Sequence, residues 1–300
     1  MSEIVLGLWP IAGITTIGVT QKEAESTIDA AIEHGITTFD TAFSYGFDGE
    51  SDRLLGMRIC KERDLYTVIG KVGQRWNADR QRVADGTSGT LIADAEASLK
   101  RMQIDHFDLL MLHSPDPNTP LVSSATAIVQ LQQRGLCKQI GVCNVTPQQY
   151  TEFANAAKNL GSRCDAIQCP LNMLQRESLD ELIPNCAKDQ CDVYTFWVLM
   201  KGLLAGRISR DHKFADEDSR PGYDIFQGEA RERAHCVLDT MEEIAKLTGQ
   251  TIAQLTIGWV LSQPGVSRAL VGARRPDQII ETAQAKPLSK ATLAAINAVI

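Results

Sequence analysis

Short apolar segments alternate with longer amphipathic segments along the 300 residues of the chain. The apolar segments are rich in Ile, Val, Leu and Phe, and they occur at residues 4–9, 36–40, 66–71, 107–113, 139–144, 165–169, 193–198 and 267–272. Segments with helical spacing, such as 21–34, 90–101, 121–134 and 147–159, lie between them. This alternation predicts eight parallel strands with helices packed against them.

Two fold classes are built from this alternation, a closed (β/α)8 barrel and an open doubly wound sheet. The sequence has no G-x-G-x-x-G fingerprint after a predicted strand, and Val72 stands where a phosphate-binding loop requires Ser or Thr after Gly70-Lys71. We therefore predict a (β/α)8 TIM barrel in which residues 1–300 form a single domain.

Two long polar segments and two additional helices interrupt the alternation. Residues 74–89 and 206–226 read as loops, whereas 229–247 and 289–300 have the spacing of extra helices. Loops of this length in a compact domain are usually lids or binding loops. Both follow predicted strands, so we expect them at the C-terminal face, where barrel enzymes place their active sites.

Composition excludes several classes of protein. The net charge of −7 argues against a nucleic-acid-binding protein, and no apolar run is long enough to span a membrane. The first residues do not resemble an export signal, so a cytoplasmic location is expected. The eight cysteines form no C-x-x-C pair, which predicts reduced, mostly buried thiols and no metal site. Oligomeric state cannot be predicted from these features.

Polar residues follow three of the predicted strands. Asp40, Lys71 and His113 stand where apolar segments end, and Tyr45 follows five residues after Asp40. Because neighbouring strands of a barrel are about 4.8 Å apart, these side chains are expected to converge on one rim. Each is also consistent alone with a structural role, as a capping Asp, a surface Lys, a core His or a packed loop Tyr.

The combination of these four residue types favours proton transfer to a carbonyl oxygen. A lysine ammonium beside a phenol is expected to lower the phenol pKa from its usual value near 10. Asp40 would keep Lys71 charged, and His113 could orient the carbonyl through a hydrogen bond. The group as a whole is predicted to be an acid for an oxygen that becomes an alkoxide.

The motifs around these residues resemble those of the aldo-keto reductase superfamily. They are FDTAFSYG at 39–46, GKVG at 70–73, LLMLHSPD at 109–116, IGVCN at 140–144, AIQCPLN at 166–172, GLLAG at 202–206 and GARRPDQIIE at 272–281. The resemblance implies an enzyme that binds NADPH or NADP+ without a Rossmann fold and reduces a small aldehyde or ketone. Tyr45 would be its general acid, with Lys71, Asp40 and His113 in supporting roles.

The resemblance also implies a set of cofactor and substrate contacts. Asn144 and Gln168 would hold the nicotinamide carboxamide, Phe196 would stack on the ring, and Arg274 would bind the 2′-phosphate. The full cofactor set is Asn144, Gln168, Phe196, Leu199, Gly202, Leu204, Gly272, Arg274, Gln278 and Glu281. Trp9, Trp76 and Trp197 are expected to line the substrate pocket.

The sequence departs from the family pattern at several positions, and two other functions stay open. Cys143 stands where the family often has Ser, Trp197 occupies a small-residue position, and Thr282 replaces a common Asn. One alternative is a redox-sensing regulatory subunit that binds NADPH and a protein partner. The other is an NAD-linked sugar dehydrogenase on the same scaffold.

Overall fold

The computed structural model describes residues 3–13 and 18–300. Within these ranges the strands are β1 (Ile4–Gly7), β2 (Thr38–Asp40), β3 (Thr67–Val72), β4 (Gln74–Trp76), β5 (Arg82–Ala84), β6 (Phe107–Leu112), β7 (Cys137–Cys143), β8 (Ala166–Pro170), β9 (Asp192–Phe196) and β10 (Arg268–Gly272). The helices are α1 (Gln21–Glu33), α2 (Glu50–Ile59), α3 (Ser88–Met102), α4 (Leu121–Gln133), α5 (Pro147–Asn159), α6 (Leu182–Lys188), α7 (Gly228–Thr248), α8 (Ile252–Leu261), α9 (Pro276–Thr282) and α10 (Lys290–Asn297).

Eight of the strands form a closed parallel barrel in the order β1-β10-β9-β8-β7-β6-β3-β2, and β2 pairs with β1 to complete the ring. They coincide with the predicted apolar segments, so the predicted (β/α)8 TIM barrel is confirmed. Small and apolar side chains fill the barrel interior, among them Val5, Ile69, Met111 and Leu270. The larger core lies between the strands and the surrounding helices.

Local sequence signals set the beginnings of several helices. The Thr20 side chain accepts a hydrogen bond from the Glu23 backbone, and the Glu23 carboxylate accepts one from the Thr20 backbone in return. Thr146 and Gln149 form the same reciprocal cap at the start of α5. Such boxes satisfy backbone N–H groups that have no partner within the helix. The predicted helical segments 21–34, 90–101, 121–134 and 147–159 are therefore confirmed, with ends within two residues of the expected ones.

The segment 74–89 was predicted to be a loop, and this prediction is wrong for part of it. β4 and β5 pair antiparallel, with Trp76 opposite Arg82. The turn between them is closed by the Asn77 side chain, which accepts hydrogen bonds from the backbone N–H groups of Asp79 and Gln81. An Asn side chain can organise a turn in this way without the Gly that marks most hairpins, so the sequence signal was weak.

The remaining departures from the regular alternation match the expectation. Residues 206–226 contain only two short 3-10 turns, at Arg220–Gly222 and Asp224–Phe226, and α7 and α10 are additional to the barrel helices.

All eight cysteines are free, and six are buried. None of the helices in the described part of the chain combines the length and apolarity needed to cross a bilayer.

Candidate active site

Strand register brings three of the predicted catalytic residues to one rim of the barrel. Asp40 is the last residue of β2, and it pairs with Ile69, two residues before Lys71 on β3. His113 directly follows β6, and its backbone N–H donates to the carbonyl of Val72 at 2.9 Å. All of these positions lie at the carboxyl ends of parallel strands, which is the face where barrel active sites form.

Tyr45 enters this rim from the loop after β2. Its backbone N–H donates to the Ala42 carbonyl at 2.9 Å, which closes a tight turn. Gly46 then takes a φ of 102°, a left-handed conformation that side-chain-bearing residues rarely adopt. The chain can reverse at this point because residue 46 is a glycine, and the reversal leaves the Tyr45 ring facing inward toward Lys71.

Lys71 is the centre of the group. Its ammonium forms a buried ion pair with Asp40 and donates hydrogen bonds to the Tyr45 hydroxyl and to the Thr41 carbonyl, each at 3.2 Å. Lys71 and Asp40 are 2% and 1% exposed. Burial alone would lower the pKa of Lys71, but the Asp40 carboxylate, together with Tyr45 and Cys143, outweighs burial and holds this pKa above its ordinary value. The lysine is therefore charged at neutral pH.

Gln168 contacts Asp40. Its amide nitrogen donates to the second carboxylate oxygen of Asp40 at 2.6 Å, so both oxygens of this buried carboxylate have partners. The Gln168 carbonyl oxygen accepts from the Cys143 thiol at 3.5 Å. Burial raises the pKa of the Cys143 thiol, which keeps it protonated as a donor. The structure thus places Gln168 and Cys143 behind the Lys71–Asp40 ion pair.

The pKa of Tyr45 differs in direction from the expectation. Burial raises the pKa of this phenol, and although the Lys71 charge lowers it, the lysine does not cancel the effect of burial. The Asp40 carboxylate raises it further. The neighbouring lysine can be inferred from the sequence, whereas the desolvation depends on how the rim packs. The phenol consequently keeps its proton at neutral pH, beside a cation that favours its ionised form.

His113 lies against Tyr45, with ring centroids 5.7 Å apart and the planes inclined by 70°. Burial lowers the pKa of His113 well below 6.5, and the positive charges of Lys71 and Arg82 lower it further. The imidazole is therefore neutral at pH 7. A neutral imidazole carries one N–H that can donate to an oxygen and does not compete with Tyr45 as an acid.

The predicted nicotinamide contacts lie around this rim. Asn144 follows β7 with a φ of 56°, and its side-chain nitrogen donates to the His113 carbonyl at 2.8 Å. Phe196, the last residue of β9, is half-buried and packs against the barrel-interior cluster. Asn144 and Phe196 therefore stand at the ends of β7 and β9, and Gln168 lies within β8 between them, where it contacts Asp40.

The segment after β9 has unusual backbone geometry. Trp197, Met200, Lys201 and Gly202 all have positive φ, at 60°, 43°, 50° and 93°. The Leu204 N–H donates to Leu199 and its carbonyl accepts from Thr256, while its side chain is buried. Among the predicted cofactor residues of this segment, Leu199 and Gly202 are half-exposed. The backbone N–H and carbonyl of Leu204 both have hydrogen-bond partners within the protein.

The GARRPDQIIE segment forms the end of β10 and the start of α9. The Gln278 side chain accepts from the Arg274 backbone N–H at 2.8 Å. The Glu281 carboxylate pairs with Arg207 at 2.8 Å. Among the described residues no carboxylate forms an ion pair with the half-buried Arg274, whereas Arg275 is exposed and pairs with Asp277. Gly272 is exposed at the end of β10.

Two of the three predicted pocket tryptophans lie next to Tyr45. The Trp9 ring contacts the Tyr45 ring edge-to-face at 5.1 Å. Trp76, on β4, donates from its indole nitrogen to the Ser44 carbonyl at 2.9 Å. Trp197 instead contacts Tyr223 of the long loop after β9, with ring centroids 5.4 Å apart.

Sequence reasoning missed the buried polar group that supports the Tyr45 loop. The Thr41 hydroxyl donates to the Asp52 carboxylate at 2.8 Å and lies 2.6 Å from the Ser51 hydroxyl. Arg101 of α3 approaches Asp52 at 3.6 Å. A signal was available, because Asp52 falls on the same face of α2 as the apolar Leu55, and a carboxylate on a buried helix face requires partners.

Comparison with known proteins places the whole chain in one family. The sequence matches the model of the Aldo/keto reductase family over residues 3–300. It is 31% identical over 281 residues to Aldo-keto reductase YhdN of Bacillus subtilis (strain 168), covering 93% of this chain and 83% of the relative. It is 29% identical over 303 residues to the NADH-specific methylglyoxal reductase of Escherichia coli (strain K12), covering 95% and 90%.

A solved structure has the same architecture. The glycerol dehydrogenase AKR11B4 from Gluconobacter oxydans superposes on this chain with a TM-score of 0.89 at 30% identity. The alignment covers 100% of this chain and 91% of the other. The similarity therefore extends over the entire barrel and the loops at its rim.

Proposed function

Since the chain belongs to the aldo-keto reductase family, whose members are oxidoreductases that use nicotinamide cofactors, we propose that it is an NADPH-dependent reductase of small aldehydes or ketones. Tyr45 is the general acid in this proposal. The observation that carries it is the contact of the Tyr45 hydroxyl with the Lys71 ammonium at 3.2 Å, which is itself paired with Asp40.

The proton is proposed to pass from the Tyr45 hydroxyl to the carbonyl oxygen of the substrate. The phenolate that remains lies beside a buried ammonium, and an opposite charge at this distance favours the ionised form. Asp40 keeps that ammonium charged despite its burial. A positioned general acid of this kind contributes typically about 10²- to 10⁴-fold to the rate.

His113 is proposed to orient the substrate. Its neutral imidazole lies against the Tyr45 ring and can donate an N–H to the same carbonyl oxygen. This donor would hold the oxygen within reach of the phenol and stabilise the negative charge that develops on it. Trp9 and Trp76 would enclose the substrate from the side of the Tyr45 loop.

The nicotinamide nucleotide supplies a hydride when it is bound. Asn144 and Phe196 are proposed to hold the nicotinamide end, because both stand at strand ends beside the catalytic group. Arg274 is proposed to bind the 2′-phosphate, and its half-buried guanidinium fits this role because no carboxylate of the described residues pairs with it. The relative from Escherichia coli named as NADH-specific makes this nucleotide choice a distinct point to test.

A steady-state assay tests the proposal. The purified protein is mixed with NADPH or NADH and a panel of aldehydes and ketones, including methylglyoxal and glyceraldehyde, and nucleotide oxidation is followed by absorbance. We expect turnover with a lower KM for NADPH. Tight NADPH binding with negligible turnover would favour the regulatory-subunit alternative, and a preference for NADH would favour the NAD-linked alternative.

A further inference from the structure

A guanidinium lies one aromatic ring away from the proposed general acid. Arg82 is the first residue of β5 and stands opposite Trp76 in the hairpin. Its guanidinium carbon is 4.9 Å from the centre of the Trp9 ring and 6.0 Å from that of Trp76. Trp9 in turn contacts Tyr45 edge-to-face. The hairpin thus delivers a positive charge to the rim where the substrate is proposed to bind.

The position of Arg82 is fixed by its surroundings. Trp76 is tied to the Tyr45 loop through its hydrogen bond to the Ser44 carbonyl, and its ring also contacts Phe47 at 5.0 Å. The Arg82 guanidinium donates a hydrogen bond to the side-chain oxygen of Gln74, the residue at the other end of β4. Stacking on two indoles restricts the guanidinium further. The cation is therefore oriented before any ligand arrives.

The charge of Arg82 has no acidic partner within the described residues. Gln74 is neutral, and none of the ion pairs formed by these residues involves Arg82. The contrast with Arg75, one strand position before Trp76, is direct, because Arg75 pairs with the buried Asp94. Arg75 therefore has a structural partner, whereas Arg82 presents an exposed, uncompensated charge to the solvent side of the rim.

The electric field of Arg82 reaches the catalytic group. Its charge contributes to the lowered pKa of His113, and both Tyr45 and Tyr223 interact with it electrostatically. Tyr223 belongs to the long loop after β9 and contacts Trp197. Arg82 therefore interacts both with the Tyr45 loop and with the long loop after β9. The chain has a net charge of −7, so a local cation of this kind favours the approach of an anion to this part of the rim.

We propose that Arg82 recognises the substrate, and that the carbonyl compounds this enzyme prefers carry an anionic group, a carboxylate or a phosphate, several bonds away from the reacting carbonyl. This inference rests on the proposed function. A guanidinium matches both anions through paired N–H donors, which also fixes their orientation. The indoles of Trp9 and Trp76 then cover the uncharged middle of the substrate.

Two matched substrate pairs test this assignment in the holoenzyme. Succinic semialdehyde is compared with butanal, and glyceraldehyde 3-phosphate with glyceraldehyde, and the readout is the anionic-to-neutral ratio of kcat/KM within each pair. We expect the wild-type protein to prefer the anionic member of at least one pair. The pair with the larger ratio identifies the anion as carboxylate or phosphate.

Arg82→Gln is expected to lower that ratio by about 10- to 100-fold, mainly through KM, because a charge-assisted hydrogen bond is lost. The ratio is internal to each preparation, so a partial loss of folded protein does not affect it. Arg82→Lys keeps the charge without the paired donors and should retain part of the preference.

Arg80→Gln is the matched control. Arg80 lies on the same hairpin, 4.7 Å from the Phe47 ring centre, and likewise forms no ion pair among the described residues. Its guanidinium lies over Phe47, whereas that of Arg82 lies over Trp9, the ring that contacts Tyr45, and at 0.15 M salt the screening length is about 8 Å. We expect the ratio to change less than about twofold in this variant.

Each contrary outcome has a separate meaning. A ratio near one in wild type, or a ratio unchanged in Arg82→Gln, would overturn the assignment of Arg82 while leaving carbonyl reduction intact. A weaker Kd for NADPH in Arg82→Gln, with the ratio unchanged, would also overturn it by assigning the guanidinium to the nucleotide. A wild-type protein that reduces none of the four compounds or any other carbonyl with either nucleotide would overturn both proposals.

Discussion

The ammonium nitrogen of Lys71 lies 3.2 Å from the hydroxyl oxygen of Tyr45, and the same ammonium forms a buried ion pair with Asp40. This arrangement links the proton affinity of the phenol to the charge state of the lysine. The carboxylate controls the lysine, and the lysine stabilises the phenolate.

Asp40→Asn should weaken the acid without removing it. The amide can still hydrogen-bond to Lys71 but no longer offsets the burial of the ammonium, so the pKa of Lys71 should fall. We expect kcat to drop by about tenfold or more, and activity should decline as pH rises through the lowered lysine pKa. An unchanged kcat with a flat pH profile would contradict the assigned role of Asp40, with NADPH binding and the thermal midpoint serving as controls for folding.

The pH–rate profile of the wild-type protein should be flat across the neutral range. Burial and neighbouring cations lower the pKa of His113 well below 6.5, and burial raises that of Tyr45 above 10, so neither group changes charge between these values. We expect kcat/KM for reduction to vary less than about threefold between pH 6.5 and 9. A sigmoidal change centred near pH 7 to 8 would show that a catalytic group titrates there, against this account.

Arg274→Ala should separate the two nucleotides. Loss of a guanidinium contact to a phosphate is expected to raise the Kd for NADPH by about 10- to 100-fold and that for NADH by less than about threefold. Nucleotide fluorescence or calorimetry measures both constants. Arg275→Ala is the matched control, because Arg275 is exposed and already paired with Asp277. Equal losses for NADPH and NADH would place the 2′-phosphate elsewhere.

Asp52→Asn should change how stability depends on pH. Burial raises the pKa of Asp52 to about 6 from 3.8. The folded protein therefore keeps this proton where the unfolded chain has lost it, and stability falls as pH rises through this window. Relative to the variant, wild type should lose about 1 kcal/mol of unfolding free energy between pH 5 and 7.

Denaturant unfolding at the two pH values measures this difference. Asp79→Asn, in the exposed turn of the hairpin, is the control for removing one surface carboxylate. A difference between wild type and Asp52→Asn that stays constant from pH 5 to pH 7 would mean that the buried carboxylate does not titrate there.

The barrel could be predicted because each apolar segment is separated from the next by polar or amphipathic sequence, and α1, α5 and α8 begin at clear capping boxes. The convergence of Asp40, Lys71 and His113 could be predicted for the same reason, because they end such segments and the carboxyl ends of parallel strands share an edge. The hairpin carrying Trp76 and Arg82 could not be predicted, because its strands are only three residues long and its turn depends on the Asn77 side chain.

The balance of electrostatic effects on the Tyr45 pKa could not be predicted from the sequence either. The effect of Lys71 on Tyr45 could be foreseen from residue types, but the opposing effect of burial depends on how closely the rim packs. Likewise, the contact of Gln168 with Asp40 joins residues 128 positions apart, and only the closed barrel brings them together. The helix spacing places Asp52 on a buried face of α2, but its partners from α3 and the Tyr45 loop are defined only by the fold.

Single-turnover reduction of an aldehyde by Tyr45→Phe with saturating NADPH tests directly whether this phenol is the proton donor. We expect a rate lower than that of wild type by about 10²- to 10⁴-fold, with the Kd for NADPH unchanged. Tyr66→Phe, which removes a hydroxyl at the opposite end of β3, should reduce at the wild-type rate. Reduction at the wild-type rate by Tyr45→Phe would contradict the claim that this phenol supplies the proton.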